Sequence, residues 1–391
     1  MIEVHILGTS SAKPVHGRSV SGNVISGDFG QIIVDCGEGF QKRVTDHNRN
    51  LKSAGMQSRI RQGRISTVLL THGHLDHCWG LLPFLQTMSL EGRTKPLTII
   101  GPTDFSVIDN LLKETSLNSS INNIENISNC DLINLFRVWW NLGGTSEDLG
   151  FEVQWILVGV DSNGGTDSDE FKAISFDTLT MSLKEISNLP MPPGVKINHI
   201  PTCHSVPSCA WQMISDSKRG KFDRKKCEEL GLSEEEIRNL ANGKNLKKND
   251  SNLVANDFRG PEIAGINVVI SGDTKGDIKS FSEPLYGDID LLIHESTYSQ
   301  CDQEKAIERL HSTSIDAANN AKNIGANLLL LTHYSSKIEN VEQLVEEAKE
   351  IHNLTFAARD SDLLQVNYGG KTTLLRNSEG VWISESSDNQ V

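Results

Sequence analysis

Ser66-Thr67-Val68-Leu69-Leu70-Thr71-His72-Gly73-His74-Leu75-Asp76-His77 is the stretch from which the rest of the chain can be read. Its first five residues have the apolar run of a fully buried strand, bounded by polar neighbours. Four metal-binding side chains follow at once: His72, His74, Asp76 and His77 lie within six residues. Imidazole and carboxylate donors suit zinc and similar divalent ions. A buried strand delivers its C-terminal loop to an open edge, where an ion can keep a position for water. His72 and His74 can converge on one ion, and Asp76 and His77 can face a second. A lone histidine is usually a core or surface residue, but four donors at this spacing are not explained that way.

Two ions need more donors, and three candidates stand at the same kind of position, the tip after a strand. His204 follows Ile197-Asn198-His199-Ile200-Pro201, Asp273 follows Val268-Val269-Ile270, and His333 follows Leu328-Leu329-Leu330-Leu331. A carboxylate such as Asp273 can bridge two cations about 3.5–4 Å apart. Taken singly, each is more often a turn residue or a satisfied core group. Together with the first cluster they reach the ligand count of a dinuclear site.

The surrounding chain alternates strands with helices. Val4–Leu7 and Gln31–Val34 read as paired strands, with a turn-prone segment at 26–30 before the second. Helices are expected at 41–49, 79–88, 314–324 and 341–352, and further strands at 97–102, 266–270, 290–295 and 372–375. Residues 113–193 read as an insertion. Leu117–Asn129 is rich in Asn and Ser, Asp161–Asp169 in Gly, Asp and Ser, and strands are expected at 136–140 and 151–160. Residues 216–260 are highly charged with few large apolar residues, and read as a surface arm with a helix or two.

Of the 391 residues 37% are hydrophobic, enough for a substantial core. The seven cysteines are scattered and never arranged as C-x-x-C, which argues against a disulfide framework and a thiolate zinc site. Buried free thiols in a reducing cytoplasm are the expectation. No apolar run is long enough to span a membrane, and the N-terminus shows no signal peptide pattern. The net charge of −14 repels polyanions at long range, so nucleic-acid binding would need a local basic patch or metal ions.

The H-x-H-x-D-H motif after a hydrophobic strand resembles the metallo-β-lactamase superfamily, whose fold is an αββα sandwich with two metals at one edge. Several further segments resemble ribonuclease Z: Leu7-Gly8-Thr9-Ser10-Ser11, Asp35-Cys36-Gly37-Glu38-Gly39-Phe40-Gln41, His204-Ser205-Val206, Gly272-Asp273-Thr274, His294-Glu295-Ser296-Thr297-Tyr298, His311-Ser312-Thr313 and Thr332-His333-Tyr334. The resemblance reaches both ends of the chain and covers roughly two-thirds of it. The resemblance implies an α/β fold: a single metallo-β-lactamase domain over 1–391, with an insertion before His204 (113–193) and an exosite-like arm after it (216–260). It implies two Zn2+ per chain, with Mn2+ or another divalent ion as alternatives. His72, His74 and His204 would hold the first ion, Asp76, His77 and His333 the second, and Asp273 would bridge. Asp76 would also orient or deprotonate water, His311 would donate a proton to the leaving oxygen or contact a phosphate, and Glu295 and Asp35 would orient histidines. The implied substrate is precursor tRNA, and the implied assembly a homodimer.

The chain departs from the family in its arm. Arg219-Gly220-Lys221-Phe222-Asp223 begins it, but the usual Gly-Pro tip is replaced by Ser233-Glu234-Glu235-Glu236-Ile237, which has the S-x-x-E pattern of a helix N-cap. Two other readings compete with RNA processing. One is hydrolysis of a small phosphodiester or ester on the same site. The other is a non-catalytic RNA-binding scaffold, which predicts decayed ligands, whereas none is missing.

Overall fold

A computed structural model of the chain describes residues 1–113, 127–161, 171–248, 251–282, 284–378 and 381–386. The first half lays down β1 (Ile2–Gly8), β2 (Gly22–Gly27), β3 (Gly30–Cys36), α1 (Phe40–Ser53), β4 (Ile65–Leu69), α2 (Leu75–Cys78), α3 (Leu81–Leu90), β5 (Leu97–Asp104) and α4 (Phe105–Lys113). Next come α5 (Leu132–Asn141), α6 (Ser146–Leu149), β6 (Val153–Val160), β7 (Ala173–Asp177) and β8 (Ser182–Ile186). The second half opens with β9 (Val195–Pro201) and β10 (Cys209–Ser215). The arm follows as α7 (Arg224–Glu229), α8 (Glu234–Ala241) and the hairpin β11 (Leu246–Lys248)–β12 (Ser251–Leu253). The chain then runs through β13 (Asn267–Ile270), β14 (Leu291–Glu295), α9 (Gln303–Arg309), α10 (Ser314–Asn323), β15 (Leu329–Thr332), α11 (Glu342–Lys349) and β16 (Thr355–Ala357), and ends in β17 (Leu363–Val366), β18 (Thr372–Ser378) and β19 (Val381–Ser386).

Among the described residues two large sheets form. One has eleven strands in the order β19-β18-β17-β1-β2-β3-β4-β5-β6-β7-β8, the other six in the order β16-β15-β14-β13-β10-β9. Three apolar layers define the stacking. Ile6, Ile32, Val34, Ile100, Trp211, Val268 and Ile293 join the two sheets face to face. Phe40, Phe84, Met88, Ile108 and Trp139 cover the outer face of the first sheet with helices. Ala317, Ala318, Leu344 and Val345 cover the second. This is the expected αββα sandwich, built because both sheets are apolar on both faces and each outer face needs a helical layer.

The parallel strands bring the chemistry to one edge. β3, β4, β5 and β6 run parallel in the first sheet, and β13, β14, β15 and β16 in the second. Residues that follow parallel strands collect at their carboxyl ends, where open α/β sheets place ligands.

Three expectations change. Gly22–Gly27 is a strand lying between β1 and β3, so those two do not pair directly. The expected strand at 136–140 is instead part of helix α5. Asp131 caps it by accepting from the Ile133 N–H, and Leu132, Ile133, Leu135, Phe136 and Trp139 turn one helical face into the core. The aromatic and β-branched content of the segment is high, but its spacing is helical. Not every thiol is buried either: all seven are free, but Cys301 is exposed and Cys130 half-buried. Most of the Asn-rich stretch 117–129, and of the Gly-Asp-rich stretch 161–169, lies outside the described residues. The described part of 113–193 extends the first sheet through β6, β7 and β8.

The arm carries a small core of its own from Cys227, Leu232, Ile237, Leu240, Ala255 and Phe258. Its S-x-x-E segment forms a full capping box: Ser233 accepts from the Glu236 N–H, and Glu236 accepts from the Ser233 N–H. No helix among the described residues is long and apolar enough to cross a membrane.

Candidate metal centre

All seven side chains expected to bind metal meet at the sheet edge. His72 Nε2 lies 3.1 Å from His74 Nδ1, which lies 3.2 Å from His204 Nε2. Asp273 Oδ2 stands 3.8 and 3.9 Å from His72 and His204. On the other side His77 Nε2 lies 3.1 Å from His333 Nε2. Asp76 Oδ2 is 3.7 and 3.5 Å from these two, and Asp273 Oδ1 is 3.3 Å from each. Two donor sets therefore share Asp273, one oxygen turned to each.

The residues fit divalent cations on three grounds. Asp273 Oδ1 is buried and has no hydrogen-bond partner of acceptable geometry, which is costly unless a cation takes it. The ring nitrogens face one another at 3.1–3.2 Å, and the opposite nitrogens of His72, His77, His204 and His333 are held by Thr71, Asp35, the Leu310 carbonyl and Thr297, which leaves the facing nitrogens for a cation. Such spacings match the edges, about 3.4 Å, of a tetrahedron with bonds of about 2.1 Å. Finally, burial first, and the neighbouring histidine His204 second, push His74 down to about 4, and burial likewise drives His72 well down. Neutral imidazole is the form that ligates.

Several of these side chains are fixed from behind. His77 Nδ1 bonds Asp35 Oδ2 at 2.7 Å, His204 Nδ1 donates to the Leu310 carbonyl at 2.9 Å, and the Ala12 N–H donates to Asp76 Oδ2 at 2.7 Å. Asp35, Leu310, Ala12 and His333 itself all adopt positive φ, from 55° to 61°. Non-glycine residues adopt that conformation at a cost, and here four of them touch one site. Gly73, between the first two histidines, has no room for a side chain: a Cβ would lie 1.9 Å from the Cys130 carbonyl oxygen.

Beside the cluster stands a second group. His311 Nδ1 bonds Glu295 Oε1 at 2.8 Å, and Glu295 also accepts from the Thr274 N–H next to Asp273. Burial pushes His311 down, but the Glu295 carboxylate outweighs it and raises the imidazole to about 9. His311 lies 3.9 Å from Asp273, with its ring stacked 5.7 Å from that of His333. Two residues without a role in the sequence reading also appear. Thr71 bonds Asp35 and contacts His72 and His77, while Thr297 bonds Glu295 and contacts His311 and His333. Their positions, next to His72 and two residues after Glu295, were the only sequence signal.

The model of the metallo-β-lactamase superfamily matches residues 18–106. The chain is 26% identical over 356 residues to ribonuclease Z of Myxococcus xanthus, covering 90% of this chain and 92% of that protein. It is 28% identical over 368 residues to ribonuclease Z of Prochlorococcus marinus, covering 92% and 98%. Over nine-tenths of its length the chain is similar to proteins named ribonuclease Z, and over residues 18–106 to the metallo-β-lactamase superfamily. Among solved structures, the match to the short form of human tRNase Z covers 93% of this chain and 99% of that one. It has a TM-score of 0.55 at 21% identity, a likeness of fold. The matched span 18–106 holds Asp35 and the first four donors. His204, Asp273, Glu295, His311 and His333 come from beyond it.

Proposed function

We propose that this chain is a hydrolytic endoribonuclease. It would cut precursor tRNA on the 3′ side of the discriminator nucleotide, leaving a tRNA 3′-hydroxyl and a 5′-phosphorylated trailer. The observation that carries this is the convergence of seven donors from four loops into two sets sharing Asp273, with the His311–Glu295 pair alongside. Relatives named ribonuclease Z, alignable over nine-tenths of the chain, support it.

His72, His74 and His204 would hold one ion, and Asp76, His77 and His333 the other, with Asp273 between them. The expected ions are two Zn2+, with Mn2+ or a similar cation able to substitute. When bound, such ions supply Lewis acidity, lowering the pKa of water to about 7 and offsetting phosphodiester charge. The remaining work belongs to the chain. Asp76, steadied by the Ala12 N–H, orients the attacking water and takes its proton. His311, its Nδ1 held by Glu295, presents Nε2 to the departing ribose oxygen and protonates it, a contribution of about 10²–10⁴-fold. Attack by water needs no 2′-hydroxyl nucleophile, which gives the products named above.

The same reading treats 1–391 as one domain, with 113–193 inserted and 216–260 as the substrate-gripping arm. It places the protein in the cytoplasm, which the free thiols support. It makes the working unit a homodimer, in which one subunit's arm serves the partner's site.

A second reading, hydrolysis of a small phosphodiester, draws on the charge of −14 and on the arm's chemistry. Arg224 is paired with Glu228 and Glu234, and Lys248 with Glu236, so part of the arm's positive charge is already answered. Incubating the protein with a precursor tRNA and with bis(4-nitrophenyl) phosphate separates the two. Cleavage at the trailer junction supports RNA processing. Cleavage of the diester alone defeats it.

A further inference from the structure

We propose that Thr71 and Thr297 are matched positioning residues, one on each half of the sandwich, each fixing two imidazoles of the centre through a single hydroxyl and a buried carboxylate. The inference rests on the proposed metal site and deepens it.

A threonine hydroxyl has one hydrogen and two lone pairs. Thr297 Oγ1 lies 2.5 Å from Glu295 Oε2, closer than the 3.1 Å to the His333 carbonyl, so the carboxylate takes the hydrogen. The same oxygen is 3.0 Å from His333 Nδ1 and must accept there. His333 is thereby held with Nδ1–H toward Thr297 and the lone pair of Nε2 toward His77, Asp76 and Asp273. The other oxygen of Glu295 receives His311 Nδ1 directly. One threonine–carboxylate unit therefore sets the tautomer and aim of His333 and His311.

The first half repeats the device. Thr71 Oγ1 lies 3.0 and 2.9 Å from the two oxygens of Asp35 and donates to that carboxylate. It then accepts from His72 Nδ1 at 3.1 Å, leaving Nε2 of His72 turned to His74. Asp35 receives His77 Nδ1 directly, as Glu295 receives His311. Asp35 is the penultimate residue of β3 and Glu295 the last of β14, both parallel strands, and the threonine-held histidines follow the next parallel strands, β4 and β15. Both threonines are fully or almost fully buried, so water is a poor substitute for either hydroxyl. Partners of this kind typically alter metal affinity or activity by about 10–100-fold.

The test uses Thr297→Val, Thr297→Ser, Thr71→Val and Thr71→Ser. Valine keeps the shape and removes the hydroxyl, whereas serine restores it. Zinc affinity is read by competition with a chromophoric chelator, and turnover with bis(4-nitrophenyl) phosphate. Each valine variant is expected to bind zinc about 10–100-fold more weakly, with kcat falling more than KM rises, and each serine variant to recover both. If Thr71→Val fails to fold, by circular dichroism, the Thr297 pair carries the decision. Wild-type protein that takes up no zinc would defeat the metal reading itself. Wild-type protein that binds zinc while Thr297→Val binds it equally well would overturn the positioning role alone.

Discussion

At the scale of single residues, the proposed function divides the centre into groups that would hold ions and a group that would move a proton. His311 touches Asp273 and Glu295 but belongs to neither set of close imidazole pairs, and its Nε2 is the atom left for a substrate. His311→Ala should therefore lower kcat by about 10²–10⁴-fold while zinc content by elemental analysis stays at the wild-type level. Loss of zinc in that variant would make His311 a ligand instead. The seven donors could be placed from sequence because each sits directly after an apolar strand, and strand tips of a parallel sheet share one edge. Thr71 and Thr297 could not be given roles that way. A threonine beside a histidine is common, and what a hydroxyl donates to depends on a carboxylate up to 36 positions away.

At the scale of elements, two features tie helices and strands to the centre. Gly73 lets the His72–His77 loop pass against the Cys130 carbonyl, so Gly73→Ala must move one backbone or the other. A cost of about 1–3 kcal/mol in urea unfolding is expected, together with weaker zinc binding, because the loop that shifts carries four donors. Farther from the site, β1 and α1 are joined by a buried histidine pair, His5 Nδ1 to His47 Nε2 at 2.9 Å, with Ser26 on the far side of His5 and Arg59 near His47. Burial holds both imidazoles down at about 3, against about 6.5 in an unfolded chain. Protons then bind the unfolded chain first, so the pair's stability is complete above pH 6.5 and drains away as the pH falls toward 3. At pH 5 the loss is about 2 kcal/mol per histidine. The double variant His5→Leu/His47→Leu should lose less stability than wild type between pH 7 and pH 5, and equal losses would refute the buried-neutral pair. Elements were least legible where composition and spacing disagree. β2 is framed by Gly22 and Gly27 and contains Asn23 and Ser26, so it was not read as a strand, and its last two residues fell within the turn expected at 26–30. Phe136–Trp140 had the composition of a strand, and the Asp131 cap with its helical apolar spacing prevailed.

For the whole molecule the question is how an acidic protein would hold a polyanion. Residues 216–260 contain eleven basic and nine acidic side chains, so the arm is slightly positive on a body that is strongly negative. It also has its own small core, and Lys218 and Ile263 are bonded to each other at its root, each donating its N–H to the other's carbonyl at 2.8 Å. That root allows the arm to be excised and the two ends joined by a short Gly-Ser linker without disturbing β10 or β13. The trimmed protein should keep its zinc and its rate on bis(4-nitrophenyl) phosphate, because none of the seven donors, nor Glu295 or His311, lies in the arm. Cleavage of precursor tRNA should fall by at least tenfold, and the residual reaction should depend less on salt than that of the intact chain, since fewer phosphates would be neutralised by lysine and arginine. Unchanged tRNA cleavage with an unchanged salt slope would show that the paired charges of the arm, Arg224 with Glu228 and Lys248 with Glu236, leave it no hold on RNA, and recognition would then have to be sought on the body around the metal centre.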